Sequence, residues 1–263
     1  MKTTLISQKL KTLACSLALL SGATLSHAQT LTMLADNWAP FTDQEGATPG
    51  YMTEIAKAVI AKAGYSVKYE LIPWTRAVAD VKAGKADLLL AVLDSQVKEE
   101  GLIECAEPFA YTTMDFFTVK SSSWEFKGVS SLDGQSLGVI QDYVYGDEMD
   151  NYIKKYSKDE SKVSFSTGEI PIETSIKKLV AGRITLLLDD RSVVMLHAKT
   201  LGMADKIRFA GSSGKPLPVY LAVSPKLANA AEVAAKISDT LKEFKKTPEY
   251  AQILAKYNIT PVQ

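Results

Sequence analysis

A segment that occurs twice narrows the possible folds more than any other part of the sequence. Residues 81–91 read VKAGKADLLLA, and residues 179–189 read LVAGRITLLLD. In both copies an amphipathic helical pattern ends at a glycine, Gly84 or Gly182, and a short apolar run follows. Glycine readily adopts the left-handed conformation that ends many helices, and short apolar runs are typical of strands buried on both faces of a parallel sheet. The sequence therefore predicts two helix-to-strand units of the same kind.

A strand–helix–strand–helix–strand order surrounds each copy. The first set is predicted at strands 31–34, 66–72 and 88–93 with helices 52–63 and 74–83, where Thr75 is a candidate cap. The second set is predicted at strands 137–140, 163–165 and 184–188 with helices 147–156 and 171–181. Two copies of one unit predict an α/β protein of two lobes, each a mostly parallel sheet flanked by helices.

Two further apolar segments are predicted to connect the lobes. Residues 108–119 and 216–224 have the composition of strands, and the helices predicted after them, 229–244 with Asn229 as cap and 248–257, are too small to form a third core. We therefore expect lobe 1 to comprise residues 29–115 plus 218–263, and lobe 2 to comprise residues 116–217. Paired crossings of this kind are typical of proteins that close around a ligand by hinge motion.

The N-terminus has the pattern of a secretory signal peptide. Lys2, Lys9 and Lys11 precede the short apolar run Thr12–Leu20, and small residues at Ser26 and Ala28 suit cleavage after Ala28. That run is too short to span a bilayer, and no later apolar stretch is longer, so no membrane insertion is expected. The sequence predicts an exported, monomeric protein.

Charge and composition exclude several classes of partner. Without the three signal-peptide lysines, 27 basic and 30 acidic residues remain, a net charge of about −3, which argues against binding to nucleic acid. Cys105 is then the only cysteine, and its apolar setting favours a buried structural thiol. With only His27 and His197 in the chain, and His27 in the signal peptide, neither a zinc site nor any other metal or cofactor is expected.

Aromatic and acidic side chains recur where the predicted strands end. They are Trp38, Trp74, Asp94, Asp142, Tyr143, Asp189 and Asp190. Ligands of open α/β sheets bind beyond the carboxyl ends of the strands, and carboxylates with aromatic rings suit an ammonium or guanidinium group. Arg76 is a candidate anchor for an anionic group.

Several of these residues also have a purely structural interpretation. Either tryptophan can be a packing residue, and Arg76 can form an ordinary surface ion pair. Asp189 and Asp190 can be stabilised by a helix N-terminus, and we expect one of them to cap the helix while the other faces the cleft.

Fragments spread over the chain from Leu31 onward resemble one known family. They are WAPF (38–41), GYMTEI (50–55), Trp74 with AGKAD (83–87), EPF (107–109), SLDGQSLGV (131–139) and AGRI (181–184) with Asp190. In this order and spacing they are similar to the family 3 extracellular solute-binding proteins, the periplasmic receptors of polar amino acid ABC importers. The resemblance implies that Trp38 and Trp74 are aromatics of the ligand pocket, Asp94 a polar contact and Asp190 the acceptor of a ligand amino group.

Two departures bear on the ligand. Relatives hold the ligand carboxylate with an arginine, but here the matching stretch, residues 95–99, has Glu99 near that position, so Arg76 or Lys98 would have to replace it. The loop expected after the first strand of lobe 2 is replaced by residues 141–146. With so many carboxylates at strand ends, we expect a ligand with a positive charge or a dominant amino group, stacked between the two tryptophans and paired with Asp190.

The functional prediction is a periplasmic binding protein that passes a small polar, amino-bearing solute to an inner-membrane ABC permease. It is not expected to be an enzyme, because no evident nucleophile and base stand together. An enzyme on the same fold, such as a dehydratase or a lytic transglycosylase, and a ligand-sensing receptor for a signalling partner are the alternatives.

Overall fold

The structure is a computed structural model that describes residues 28–259. The predicted signal peptide lies outside the described residues except for Ala28, the last residue before the expected cleavage point. Within the described part of the chain, no helix has the length and apolar character needed to cross a membrane.

The described residues form eleven strands and eight α-helices. The strands are β1 (Thr30–Ala35), β2 (Ser66–Leu71), β3 (Leu88–Leu93), β4 (Ile103–Glu104), β5 (Ala110–Thr112), β6 (Asp115–Val119), β7 (Leu137–Ile140), β8 (Val163–Ser166), β9 (Leu186–Asp189), β10 (Ile207–Ser212) and β11 (Leu217–Val223). The helices are α1 (Tyr51–Lys62), α2 (Trp74–Lys82), α3 (Asp94–Glu100), α4 (Asp147–Tyr156), α5 (Pro171–Val180), α6 (Arg191–Thr200), α7 (Ala230–Phe244) and α8 (Pro248–Lys256).

The strands form two separate sheets, which confirms the predicted two-lobed α/β fold. Lobe 1 has the order β2-β1-β3-β11-β4, with β5 also paired to β11, and lobe 2 has the order β10-β6-β9-β7-β8. The three strands of each repeated unit are parallel to one another. The added strands are antiparallel: β11 pairs with β3, β4 and β5, and β6 pairs with β9 and β10.

The repeated helix-to-strand turn has the predicted geometry in both lobes. Gly84 and Gly182 have φ values of +77° and +69°, in the left-handed region. The leucines that follow, residues 88–90 and 186–188, are completely buried, as expected for central strands. β3 and β9 end close to each other, since Leu93 and Asp189, the last residues of these strands, line one cavity.

One predicted strand is wrong, because residues 108–119 form two strands in different sheets. Val219 of β11 pairs with Ala110, whereas Asp115 pairs with Asp189 of β9. A single strand cannot satisfy both sheets, so the chain leaves the first at Thr113 and joins the second at Asp115. The return crossing lies between Ser212 and Leu217. The second predicted crossing, residues 216–224, is therefore wrong as well, because nearly all of it is β11, which pairs within the sheet of lobe 1. Sequence analysis assigned no element to α3, α6, β4 or β10.

Of the two predicted helix caps, Thr75 is wrong and Asn229 is right in position only. Pro73, not Thr75, is the N-cap residue of α2, and the Thr75 hydroxyl instead bonds to Asp142 across the cleft. Asn229 occupies the N-cap position of α7 without a capping hydrogen bond from its side chain.

The C-terminal helices pack on lobe 1, as predicted. Helix α7 contacts α1, β4 and β11, and α8 contacts α1. Val233, Ile237 and Leu241 of α7 are completely buried, so the apolar face of this helix closes one side of the sheet.

Candidate functional site

The carboxyl ends of β1, β3, β7 and β9 surround a cavity between the lobes. Its lining residues are Asp36, Trp38, Trp74, Ala91, Leu93, Gln96, Thr112, Met114, Tyr143, Val144, Tyr145 and Asp189. The free volume is only about 30 Å³, which admits water molecules but no amino acid. Side chains of both lobes therefore occupy the centre of the cleft.

Lobe 1 supplies a carboxylate and two indoles. Asp36 follows β1 directly and is 4% exposed. Trp38 lies in the next turn, where one face of its indole stacks on Phe41 with ring centroids 4.0 Å apart. Trp74 is the first residue of α2 and is 6% exposed. Short connections after β1 and β2 place all three groups on the same rim.

Lobe 2 supplies Asp189, the last residue of β9. Its Oδ1 accepts hydrogen bonds from Trp38 Nε1 at 3.0 Å and from the Asp190 backbone N at 2.7 Å. Its Oδ2 is buried and has no hydrogen-bond partner among the described residues. An unpaired buried acceptor costs about 1–3 kcal/mol, so this oxygen is available for a donor from outside the chain.

Asp190 has a different role from its neighbour. Its carboxylate caps α6 through the Ser192 backbone N at 2.8 Å, and it accepts further bonds from the Ser192, Thr112 and Thr113 side chains and the Thr113 backbone N. Of the adjacent pair, Asp190 caps the helix and Asp189 lines the cavity.

Tyr143 of lobe 2 enters the space between the two tryptophans. Its ring centroid lies 6.5 Å from that of Trp38 and 5.8 Å from that of Trp74, edge-on to both. The Tyr143 hydroxyl donates a hydrogen bond to the Asp36 carboxylate. Burial, followed by the nearby carboxylates of Asp36 and Asp189, raises the pKa of this hydroxyl.

Asp142 attaches the same loop to lobe 1. It has a left-handed backbone, with φ of +61°, and its carbonyl accepts bonds from Trp74 Nε1 and Gln96 Nε2, each at 3.1 Å. Its carboxylate accepts a bond from Thr75 Oγ1 at 2.6 Å. Asp142 is exposed at the rim and does not line the cavity.

The cavity has two buried carboxyl groups and no basic lining residue. Burial raises the pKa of Asp36 to about 6 and that of Asp189 to about 7, even though hydrogen bonds from Tyr143 and Trp38, respectively, act in the opposite direction. Close to neutral pH the site therefore holds carboxyl groups that have no cationic partner among residues 28–259.

Two other predicted site residues lie outside the cavity on helix surfaces. The Arg76 side chain is 72% exposed and pairs with Asp80 at 3.4 Å. Asp94 is the first residue of α3 and pairs with Lys98 at 2.7 Å. Glu99 is also on α3 and is exposed. None of these side chains lines the cavity.

Sequence analysis did not select four polar residues that line the cavity: Asp36, Gln96, Thr112 and Tyr145. Asp36 could have been predicted as a site residue, because it is an acidic residue close after a predicted strand and two positions before Trp38. Gln96 belongs to α3, which was not predicted, and Thr112 belongs to β5, which was predicted only as part of a single strand at residues 108–119.

Outside this cavity, the one cysteine among residues 28–259 lies in the core of lobe 1. Cys105 is completely buried, and burial raises the pKa of its thiol, which fits the predicted structural role. No group of three His, Cys, Asp or Glu side chains within residues 28–259 is arranged to hold a metal ion.

Comparison with known families gives one match that spans the chain. Residues 31–260 match the model of the bacterial extracellular solute-binding proteins, family 3. Among curated proteins, no sequence shows a significant match.

Several solved structures share the fold. An ancestral arginine-binding protein bound to arginine is 22% identical, with a TM-score of 0.68 over 87% of this chain and 97% of that one. A histidine kinase sensor domain with similarity to periplasmic binding proteins is 20% identical, with a TM-score of 0.74 over 89% and 99%. An amino acid ABC transporter substrate-binding protein from Streptococcus pneumoniae, bound to L-arginine, is 17% identical, with a TM-score of 0.67 over 89% and 95%. At these identities the likeness establishes the fold alone.

Proposed function

Because this chain belongs to the bacterial extracellular solute-binding proteins, family 3, we propose that it captures a small polar solute with an amino or guanidinium group in the periplasm. It then delivers this solute to an ABC permease of the inner membrane. The family is one of binding proteins, so the cleft is used for capture and release without chemical change.

The charge of the cavity carries this proposal. Asp36 and Asp189 are 4% and 2% exposed, and no lysine, arginine or histidine lines the cavity with them. An ionised carboxylate without a partner loses several kcal/mol of hydration when buried. A ligand cation would supply the partner, and the indoles of Trp38 and Trp74 would add cation–π attraction.

We assign the ligand's amino group to Asp189 and Asp36 in preference to Asp190. The Asp190 oxygens already have protein donors, whereas Asp189 Oδ2 has none among the described residues. The arginine bound in two of the solved structures of this fold is consistent with this sign of charge.

Ligand sensing is the second candidate function, since a histidine kinase sensor domain has the same fold over 89% of this chain. Uptake of the labelled ligand separates the two functions. Cells that lack the protein lose high-affinity uptake if it serves a permease, and they keep uptake if it serves a signalling partner.

A thermal-shift screen tests the binding function directly. The panel contains amino acids, polyamines, betaines and small organic acids, and a true ligand at about 100 times its Kd adds about 2.7 kcal/mol of apparent stability. We expect the hits to be cations or amines. Recovery of a chemically altered compound after incubation would show an enzyme instead.

Substitutions then test how the hit is held. Asp189→Asn should weaken binding at least tenfold, because it removes the charge that meets the ligand, whereas Arg76→Ala should leave Kd unchanged because Arg76 lies outside the cavity. If binding survives Asp189→Asn and Asp190→Asn but is lost in Arg76→Ala, the ligand is held by an anionic group and the proposed charge is wrong.

A further inference from the structure

We propose that Tyr143 is a built-in occupant of the ligand site, and that the ligand binds only where this side chain has been displaced. This inference rests on the proposed binding function and adds a residue that sets both affinity and ligand chemistry.

Tyr143 occupies the place where a ligand would meet the most binding groups. Its ring lies between Trp38 and Trp74, and its hydroxyl uses the Asp36 carboxylate as an acceptor. These are the two indoles and one of the two acids to which the ligand is assigned. Ligand and tyrosine would therefore make the same contacts and exclude one another.

The free space supports exclusion rather than a shared site. With Tyr143 in place, only about 30 Å³ remains, less than any amino acid or polyamine needs. The residue belongs to lobe 2, so it leaves the cleft when the lobes separate and returns when they close without ligand.

Three hydrogen bonds hold the loop in this position. The Asp142 carbonyl accepts from Trp74 and Gln96, and the Asp142 carboxylate accepts from Thr75. All three donors belong to lobe 1, so the empty protein closes on its own loop, much as it would close on a ligand.

The displaced side chain indicates what replaces it. A ligand must offer a hydrogen-bond donor to Asp36 and an apolar or planar segment to the two indoles, as tyrosine does. It gains over tyrosine by carrying a positive charge, because a cation also pairs with the buried Oδ2 of Asp189. The favoured class is an ammonium or guanidinium group on a short carbon chain.

A tethered side chain that competes with the ligand lowers the apparent affinity. The apparent Kd equals the intrinsic Kd divided by the fraction of molecules whose cleft is free of Tyr143. If Tyr143 fills the cleft in about nine molecules of ten, Kd rises about tenfold over its intrinsic value. Removal of the side chain should therefore improve binding, whereas removal of a side chain that contacts the ligand would weaken it.

Calorimetric titration of wild-type protein and variants with L-arginine, L-lysine, putrescine and choline tests this inference. Tyr143→Ala should bind at least one of these cations about tenfold or more tightly than the wild type. Thr75→Val removes one attachment of the loop at an exposed position and should improve Kd by a smaller factor. Tyr156→Ala, in the same lobe but away from the cleft, should leave Kd unchanged.

The outcomes separate this inference from the proposed function. If the wild type binds a cation and Tyr143→Ala binds it more weakly, the protein is a cation receptor but Tyr143 is a contact residue, and the inference is overturned. If neither the wild type nor Tyr143→Ala nor Thr75→Val binds any of the four, both this inference and the proposed ligand class fail. Because Thr75→Val does not disturb the buried cleft, it reports on the loop even if Tyr143→Ala folds poorly.

Discussion

Asp36 and Asp189 are buried by contact between the lobes, and burial raises their pKa values to about 6 and about 7 from the ordinary value of 3.8. Between about pH 4 and pH 7 the unfolded chain has released protons that the folded protein still holds. Stability therefore falls as pH rises through this window, with the loss complete above both folded-state pKa values. A carboxylate held in an ion pair has the opposite effect, because its folded-state pKa is lowered and stability rises with pH.

Urea unfolding of the ligand-free protein from pH 4.5 to pH 7.5 measures this effect. Each carboxyl should contribute a slope of up to about 1.4 kcal/mol per pH unit. The double variant Asp36→Asn with Asp189→Asn should show a flatter profile. Burial also raises the pKa of Asp150 to about 6. Because Asp150 is present in both proteins, it contributes equally to both slopes and does not affect the difference between them. An identical slope in the wild type and the double variant would contradict the assignment.

At the residue scale, sequence analysis located part of the site through the position of strand ends. Trp38, Trp74, Tyr143 and Asp189 line the cavity because each stands where a strand or its following turn meets the cleft. Asp94 follows a strand equally closely but starts α3, which turns its carboxylate toward Lys98. The sequence shows that an acid follows a strand, but the direction of the next element decides whether it faces the cleft.

At the scale of elements, the repeated helix–glycine–strand unit was predictable because local rules suffice for it. An amphipathic period, a left-handed glycine and an apolar run each have short-range causes. The division of residues 108–119 between two sheets has no such short-range cause. It depends on pairing with β9, β10 and β11, and the paired residues of these strands lie 70 or more positions later in the chain.

The two repeated glycines allow a matched comparison of strain. A Cβ atom at Gly84 would lie 2.6 Å from Lys226 Cβ, whereas one at Gly182 would meet nothing within 4 Å. Gly182→Ala should cost about 1 kcal/mol of unfolding free energy through its left-handed backbone alone. Gly84→Ala should cost measurably more, because Lys226 must also move. Chemical denaturation of both variants checks this, and an equal or larger loss at Gly182 would contradict it.

At the scale of the whole molecule, side-chain hydrogen bonds across the cleft hold the lobes together without ligand. Trp38 and Trp74, with Thr75 and Gln96, donate from lobe 1, and Tyr143 donates from lobe 2. Within residues 28–259 the chain crosses between the lobes at residues 113–114 and 213–216. A change of lobe angle would therefore have to break these hydrogen bonds and bend the chain at the two crossings.

Small-angle scattering of a variant with weakened cleft contacts tests this hinge. Thr75→Val combined with Gln96→Ala removes two bonds to Asp142 and should increase the radius of gyration of the ligand-free protein while each lobe keeps its structure. Thr200→Val, which removes a hydrogen bond within α6 to the Leu196 carbonyl, should leave the radius unchanged. An unaltered scattering profile in the double variant would show that the lobes do not separate at these contacts.

Strand β11, which inserts between β3 and β4, also determines the order in which a growing chain can complete its two halves. All strands of the second sheet lie within residues 115–212, so they have all emerged, whether from a ribosome or across a membrane, before Leu217 follows. The first sheet starts earlier but must wait for β11 and α7, and until then one edge of the apolar strand β3 has no partner. The half that begins second is therefore the first to be finished, because β11, which the other half needs, follows every strand of the second sheet along the chain.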